Sequence, residues 1–392
     1  MPAFARAMDR LGTETAFEVL ARAKALEAQG REIVHLEIGE PDFDTPKNIV
    51  EAGKRALDDG YTHYGPSAGL PAFRQLLAEH VTASRGIPYQ ASNIVVTPGA
   101  KPIMFYMMMA VLDSGDEALY PNPGFPIYES VIRYLDAKPV ALPLRQENQF
   151  RLDLDDLRKK LSSKTKLLIL NSPHNPTGGM LPPEDIAKIA DILTDYPQVW
   201  VLSDEIYSRI LYEGKHVSIA TFGSLRDRTV ILDGFSKIYA MTGWRLGYGV
   251  MPEALATHVA RLATNCNSCT ASFVQMAGME ALKGPQDAAE TMRQEFLRRR
   301  DHLVKGLGRI PGIRCLLPQG AFYVFPDFRE LGLPTREVAT RLLDDFGVAA
   351  LSGTAFGEHG DGHIRFSYAN SIENLDKALN RIDDFVRALA HR

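Results

Sequence analysis

The chain has 392 residues, 45% hydrophobic and 23% charged, with a formal net charge of −4 and a pI near 6.2. That balance offers no electrostatic case for nucleic acid or an anionic membrane, and the length suffices for two domains sharing a large core. The longest apolar run, residues 102–112, falls far short of the ~20 residues of a membrane span, and the start, MPAFARAMDRLG, lacks the apolar centre of a leader. A small-molecule partner and a cytoplasmic location are expected.

Residues 13–29 carry a helical pattern through Phe17, Leu20 and Leu26 that stops at Gly30. Residues 33–38 read as a strand entering the tight turn Gly39-Glu40-Pro41-Asp42-Phe43, and a helix over 46–58 follows. In YTHYGPSAG, Tyr61, His63 and Tyr64 precede a glycine and proline turn, an arrangement that usually means hinge packing. Residues 93–97 (NIVVT) form the next strand, and Pro98-Gly99-Ala100 turns it into a helix beginning near Lys101. A helix that starts directly after a strand presents free N–H groups and a positive dipole end, so this turn has the form of a phosphate cradle. Met104 and methionines 107–109 on that helix read as core filler. After the strand EALY, Phe125 lies in a proline-stiffened loop, PNPGFP, where a rigid ring can cover one face of a flat cofactor. Three cysteines, Cys266, Cys269 and Cys315, make no disulfide framework. The Cys266/Cys269 pair has no second pair to complete a zinc site, so both read as packing residues and no metal is expected.

From residue 164 onward the spacing becomes informative. Three near-continuous apolar strands, LLIL (167–170), VWVL (199–202) and VIL (230–232), run respectively into HNPTG, SDEIY and DGFSK. Asn175, Asp204 and Lys237 stand 29 and 33 residues apart, about one βαβ unit each, so successive strands bring all three to one edge of a parallel sheet. Strands apolar throughout, alternating with helices, fit a sheet covered on both faces.

Lys237 is the centre of this set. Small, aromatic and glycine residues flank it, and Arg245 returns a fixed cation between Trp244 and the strand-like LGYGV. A lysine partly desolvated beside positive charge has a lowered pKa, and its free amine condenses with an aldehyde to form a Schiff base. The electron withdrawal needed for chemistry at an amino-acid Cα comes from a protonated pyridine ring, and a buried carboxylate keeps that nitrogen protonated. Asp204 suits that task, Asn175 and Tyr207 suit the ring's phenolic oxygen, and Gly99 to Lys101, Ser236 and Arg245 suit a phosphate. The set is the one pyridoxal 5'-phosphate requires.

These stretches also carry a resemblance. NPTG at 175–178, SDEIY at 203–207, SKIYAMTGWRLGY at 236–248 and IRFSYAN at 364–370, with GEPDFDTP at 39–46 and THYGPSAG at 62–69, resemble the motifs of class I aminotransferases of the aspartate aminotransferase family, within the fold-type-I pyridoxal-phosphate enzymes. The resemblance spans essentially the whole chain. It implies that Lys237 is the lysine bonded to the cofactor and the carrier of the Cα proton. Asp204 becomes the partner of the ring nitrogen, Asn175 and Tyr207 the ligands of the phenolic oxygen, and Arg245 and Ser236 the phosphate ligands. Tyr64 matches a tyrosine that reaches the phosphate from the other subunit, which implies a homodimer. Phe125 stands where many relatives stack a tryptophan, and Gly234 where some have a phosphate-binding serine.

Arg365 in IRFSYAN belongs to a later group of elements: a helix at 286–307, GIRCL, AFYVF, a helix at 335–346, GVAAL and IRFSY. Alternation with Ile364 and Phe366 suggests that it faces a wet, concave surface, and an arginine fork matches a carboxylate bidentately. The resemblance makes it the grip on the substrate α-carboxylate, with Gly39 and Asn175 beside it. Lys101 matches a lysine that holds acidic side chains in an aspartate-specific branch, whereas Glu14 would repel an acid or attract a base.

The expected fold is α/β, a mostly parallel seven-stranded sheet covered by helices, with a smaller α+β domain. Residues 1–46 join residues 286–392 in the small domain, and 47–285 form the large, cofactor-binding one. The expected reaction is ping-pong transfer of an amino group from an L-amino acid to a 2-oxo acid. A pyridoxal-phosphate lyase acting by C–S or other elimination remains open on the same scaffold. A non-catalytic regulator would need an added basic DNA-binding domain, and nothing before Gly12 supplies one.

Overall fold

The computed structural model describes residues 3–390. The strands in chain order are β1 (Val34–His35), β2 (Ile94–Thr97), β3 (Glu117–Asn122), β4 (Lys138–Pro143), β5 (Thr165–Asn171), β6 (Trp200–Asp204), β7 (Thr229–Gly234), β8 (Gly247–Val250), β9 (Tyr323–Val324), β10 (Val348–Ala349), β11 (Leu351–Ser352) and β12 (Ile364–Ser367). The helices that shape the site are α1 (Thr15–Glu27), α2 (Lys47–Asp58), α3 (Pro71–Arg85), α4 (Lys101–Val111) and α5 (Ile127–Tyr134). Seven strands form one sheet in the order β2-β8-β7-β6-β5-β3-β4. β8 alone runs against the others, pairing antiparallel with both β2 and β7.

Side chains on a strand alternate between its faces, and both faces here are apolar. Ile94, Val96 and Ile231 pack with Phe73 and Leu77 of α3, whereas Val95, Val230 and Leu232 pack with Met104 and Met107 of α4. Leu168 and Val201 pack with Ile186 and Ile189 of the helix Pro183–Thr194. This two-sided burial explains why β5, β6 and β7 read as continuous apolar runs. Leu168 is fully buried, and truncating such a residue to alanine costs about 2–5 kcal/mol. Among the described residues no helix is long and apolar enough to cross a membrane.

Two small sheets lie outside this one: the parallel pair β1-β10 and the antiparallel set β11-β12-β9. Several expected elements are shorter or differently placed. The strand expected over 33–38 pairs only at Val34 and His35. Beyond them Ser367 N–H donates to the Leu36 carbonyl and Arg365 donates to the Glu37 carbonyl, so the segment leaves one ladder to serve another. GIRCL contributes a single isolated bridge, Arg314 to Asp327, and no strand. GVAAL divides around Ala350 into β10 and β11, which belong to different sheets.

Two packing expectations also need correction. Met104, Met107 and Met108 are buried, but Met109 is 43% exposed, since its helical phase lies off the stripe formed by positions 104, 107, 108 and 111. Cys266 is exposed near the end of the helix Glu253–Asn267, and Cys269 is only partly buried.

Candidate active site

β5, β6 and β7 lie side by side and in parallel, so the segments after them emerge along one sheet edge, as the spacing of Asn175, Asp204 and Lys237 predicts. With the start of α4, the segment Glu14 to Phe17, Tyr323 and Arg365, they line a cavity of about 550 Å³.

The chain leaves β7 through Gly234, where a Cβ would stand 3.1 Å from the Gly247 Cα and the Leu246 carbonyl oxygen. The loop that follows closes on itself, Phe235 N–H donating to the Leu246 carbonyl at 3.2 Å. Lys237 Nζ donates to the Gly39 carbonyl at 2.6 Å. Burial pushes the ammonium down to about 8; Glu40 opposes the shift, and the cations Arg365 and Arg245 reinforce it. Gly39 must lack a side chain, because a Cβ there would meet the Tyr323 hydroxyl at 2.2 Å.

Arg245 adopts a left-handed backbone, φ +56°, and its Nη1 donates to the Thr242 carbonyl at 2.8 Å. Its guanidinium lies against Gly99, where a Cβ would come 2.2 Å from Nη2 and where φ is +86°. Gly99 therefore serves as the bare floor beneath the arginine. The first N–H groups of α4, which have no acceptor within the helix, open beside it at Ala100 and Lys101 in the cavity wall.

Asp204 is 8% exposed. Its Oδ2 accepts from the Tyr128 hydroxyl at 2.6 Å and its Oδ1 from Ile206 N–H at 3.3 Å. Burial raises the carboxyl to about 6, against the hydrogen bond from Tyr128, which lowers it. Among the described ion pairs none includes Asp204. A buried carboxylate without a cation is a seat for a cationic N–H. Asn171 braces it, donating from Nδ2 to the Asp204 carbonyl at 3.1 Å and accepting Asn175 N–H at 3.0 Å. The hydroxyls of Tyr207 and Tyr323 share a hydrogen bond of 2.7 Å.

Arg365 occupies the middle strand of its sheet and is only 4% exposed, yet it lines the cavity, the concave face that alternation with the core residues Ile364 and Phe366 suggests. Nη1 donates to Asn175 Oδ1 at 3.1 Å, and Nη2 donates to the Glu37 carbonyl. The guanidinium lies 4.5 Å from the Tyr323 ring centroid and 4.9 Å from that of Phe356. Its buried Nε has no hydrogen-bond partner. A fork held between two aromatic faces with an idle donor is ready for a planar anion.

Among the remaining expected residues, Ser236 and Phe125 line the cavity, the latter meeting Tyr128 edge-on with centroids 5.6 Å apart. Glu14 and Lys101 also line it, and they pair with each other. Lys101 Nζ sits 5.3 Å from the Phe125 ring centroid. Tyr64 does not line the cavity and is 91% exposed. Tyr128, Tyr323 and Asn171 are additions that motif reading missed. Tyr128 offered one signal, a position three residues after Phe125 at the start of a helix; Tyr323 offered its place in the alternating stretch AFYVF.

The family model for aminotransferase class I and II matches residues 31–382. The chain belongs to this family. This aminotransferase is 42% identical to the aspartate aminotransferase of Pyrococcus horikoshii over 369 residues, 93% of each chain. It is 39% identical to the arginine–pyruvate transaminase of Pseudomonas aeruginosa, over 94% of its own length and 93% of that relative's. The solved aspartate aminotransferase of Thermus thermophilus with maleate superposes at a TM-score of 0.94 and 36% identity, with 98% of this chain and 100% of that one covered. The protein is a transaminase of fold type I, as the motifs imply, and enzymes of this class use pyridoxal phosphate. The site suits that group: Asp204 lacks a cation, and Gly99, Arg245 and the start of α4 form an anion cradle.

Proposed function

We propose that this cavity transfers the amino group of an L-amino acid to a 2-oxo acid, and that Phe125 and the residues following β5, β6 and β7 would hold pyridoxal phosphate in it. When bound, the cofactor supplies an aldehyde that condenses with amines and a ring whose protonated nitrogen draws electrons from Cα. Asp204 keeps the ring nitrogen protonated, and Tyr128 keeps Asp204 ionised and oriented. Asn175 and Tyr207 donate to the phenolic oxygen. Arg245, Ser236 and the N–H groups from Gly99 to Lys101 hold the phosphate. Arg365, with Asn175 beside it, would grip the α-carboxylate, and Lys237 Nζ would take the Cα proton and carry it across the amino nitrogen. Gly39 supplies the carbonyl that holds the lysine amine meanwhile. The observation that carries this reading is one cavity containing a buried cation-free carboxylate, a lysine depressed to about 8 and an arginine with an idle donor.

The mutual pairing of Glu14 and Lys101 supports a donor that is neither strongly acidic nor strongly basic. The relatives named for aspartate and for arginine show how widely donors vary across this scaffold. The 91% exposure of Tyr64 supports its service to a second copy's site in a cytoplasmic homodimer. We divide the chain into a large domain, 47–285, and a small one from 1–46 and 286–392, whose outermost residues lie outside the described ones.

The test uses the purified protein. It should be yellow, borohydride should attach the cofactor to Lys237 as read by peptide mass, and Lys237→Ala should bind cofactor without transaminating. Amino-acid consumption that needs no 2-oxo acid and releases ammonia would favour the lyase reading; turnover by Lys237→Ala would refute ours.

A further inference from the structure

A buried ionic cluster lies on the side of the sheet away from the cavity, and neither the motifs nor the site uses it. Consecutive residues at a strand end point to opposite faces, so Asp204 lines the cavity while Glu205 turns into the interior, 0% exposed. Glu205 Oε1 accepts from the hydroxyls of Ser203 at 2.8 Å and Ser218 at 2.5 Å. Its Oε2 accepts from Arg85 Nε at 2.7 Å and lies 2.9 Å from His216 Nε2. Asp233 belongs to β7, adjacent to β6, four residues before Lys237. Its Oδ2 accepts from Arg85 Nη2 at 3.0 Å and its Oδ1 from Gly234 N–H at 2.7 Å.

Arg85 is the bridge. It is the last residue of α3, closed by Gly86 at φ +71°, and its side chain is 6% exposed. One planar guanidinium reaches Glu205 with Nε and both Ser208 and Asp233 with Nη2. A lysine, with one compact ammonium, does not span that set. Burial would lower Arg85, yet the charges of Glu205 and Asp233 raise it; Glu205 is held low by His216 and Arg85 against its own burial. The other ionisable neighbours include Tyr89, Tyr239, Tyr248, Arg209 and His80, the last pushed down to about 4 by burial and by Arg209 and Arg85.

We infer that Arg85 is a positioning residue for the reaction: by tying Glu205, the residue just after β6, to Asp233 on β7, it fixes the spacing and orientation of Asp204 and Lys237 across those strand ends. With His216, Arg85 also offsets the field of two carboxylates behind the site, which otherwise favours extra positive charge in the cavity. A core ion pair serving only stability would need neither property. The inference rests on the roles proposed for Asp204 and Lys237.

Cofactor-loaded Arg85→Lys and Arg85→Met are compared with the parent and with Lys237→Ala. Arg85→Lys keeps the charge and the fold where Arg85→Met fails to fold. The readouts are Tm, the Kd for pyridoxal phosphate, the pH midpoint of the bound cofactor's visible absorption, and kcat and KM measured well below Tm. Arg85→Lys is expected to lower kcat at least tenfold, weaken cofactor binding several-fold and change the donor KM less than threefold. In Arg85→Met the absorption midpoint is expected to rise, because Asp233 then loses its cation and Glu205 keeps only His216. A lowered Tm with kcat, Kd and midpoint unchanged would make the cluster merely structural and overturn the inference. An inactive Lys237→Ala beside a normal Arg85→Lys refutes this inference alone, whereas an active Lys237→Ala refutes the reading beneath it.

Discussion

The depressed ammonium of Lys237 makes the most quantitative prediction. The reactive form is the neutral amine. With Lys237 at about 8, roughly a tenth of it is neutral at pH 7, against roughly 0.04% for an ordinary lysine near 10.4, a ratio of roughly 200. The perturbation is pH, applied to cofactor-stripped protein, and the assay is stopped-flow capture of pyridoxal phosphate, with a blocked lysine amide run in parallel to cancel the cofactor's own titrations. Relative to that control, protein capture should favour Lys237 by about two orders of magnitude at pH 7. The protein's rate should climb about tenfold per pH unit up to about 8 and then level, while the control still rises at pH 10. Glu40 is the chief group holding the ammonium up, so Glu40→Gln should move the plateau to lower pH. A protein rate that keeps climbing in step with the control to pH 10 would refute the argument that burial activates this amine.

Three further predictions concern the walls of the cavity. Asp204→Asn should retain the fold and lose kcat by about 10²–10³-fold, since an amide does not stabilise a cationic ring nitrogen; near-normal kcat in steady-state assays would make the carboxylate structural. Tyr128→Phe removes the 2.6 Å donor that lowers Asp204, so Asp204 should rise further, the acid limb of the kcat profile should move to higher pH, and kcat at neutral pH should fall about tenfold, the worth of a hydrogen bond to a charged group. Because Glu14 and Lys101 occupy each other, Glu14→Gln should free the lysine and raise relative kcat/KM for acidic donors, and Lys101→Ala should do so for basic ones, each by up to about 5-fold; unchanged ratios across acidic, neutral and basic donors would remove both residues from donor selection.

The large sheet was legible because β5, β6 and β7 are buried on both faces and announce themselves as unbroken apolar runs. Asn175, Asp204 and Lys237 were legible because each follows such a run at a regular interval. The small sheets were harder. Their strands are two to four residues long, too short for a period to register, and their pairings join residues as distant as Val34 and Val348. Arg365 was legible from its motif and from its alternation with Ile364 and Phe366, but its near-complete burial between the Tyr323 and Phe356 rings was not, since those rings come from other segments of the chain. Tyr128 escaped because its role is a hydrogen bond across 76 residues, which no local pattern encodes. Glu14 and Lys101 looked like conflicting signals when taken one at a time; in three dimensions they cancel.

The segment ahead of α1 clips to the rest of the molecule at a few points: Arg10 Nε to the Arg133 carbonyl, Gly12 N–H to Ser130 Oγ, and Glu14 to Lys101. Glu14, Thr15, Ala16 and Phe17 wall the cavity, yet none of them is fully buried. Replacements at such positions typically shift stability by less than about 0.5 kcal/mol, whereas any change at Asp204 or Lys237 strikes a packed strand end. If these four residues meet the varying end of a substrate, as proposed, that part of the cavity is insulated from the part assigned to the reaction. On that proposal, point mutation at these four residues would explore new donors while the packed strand ends stay as they are.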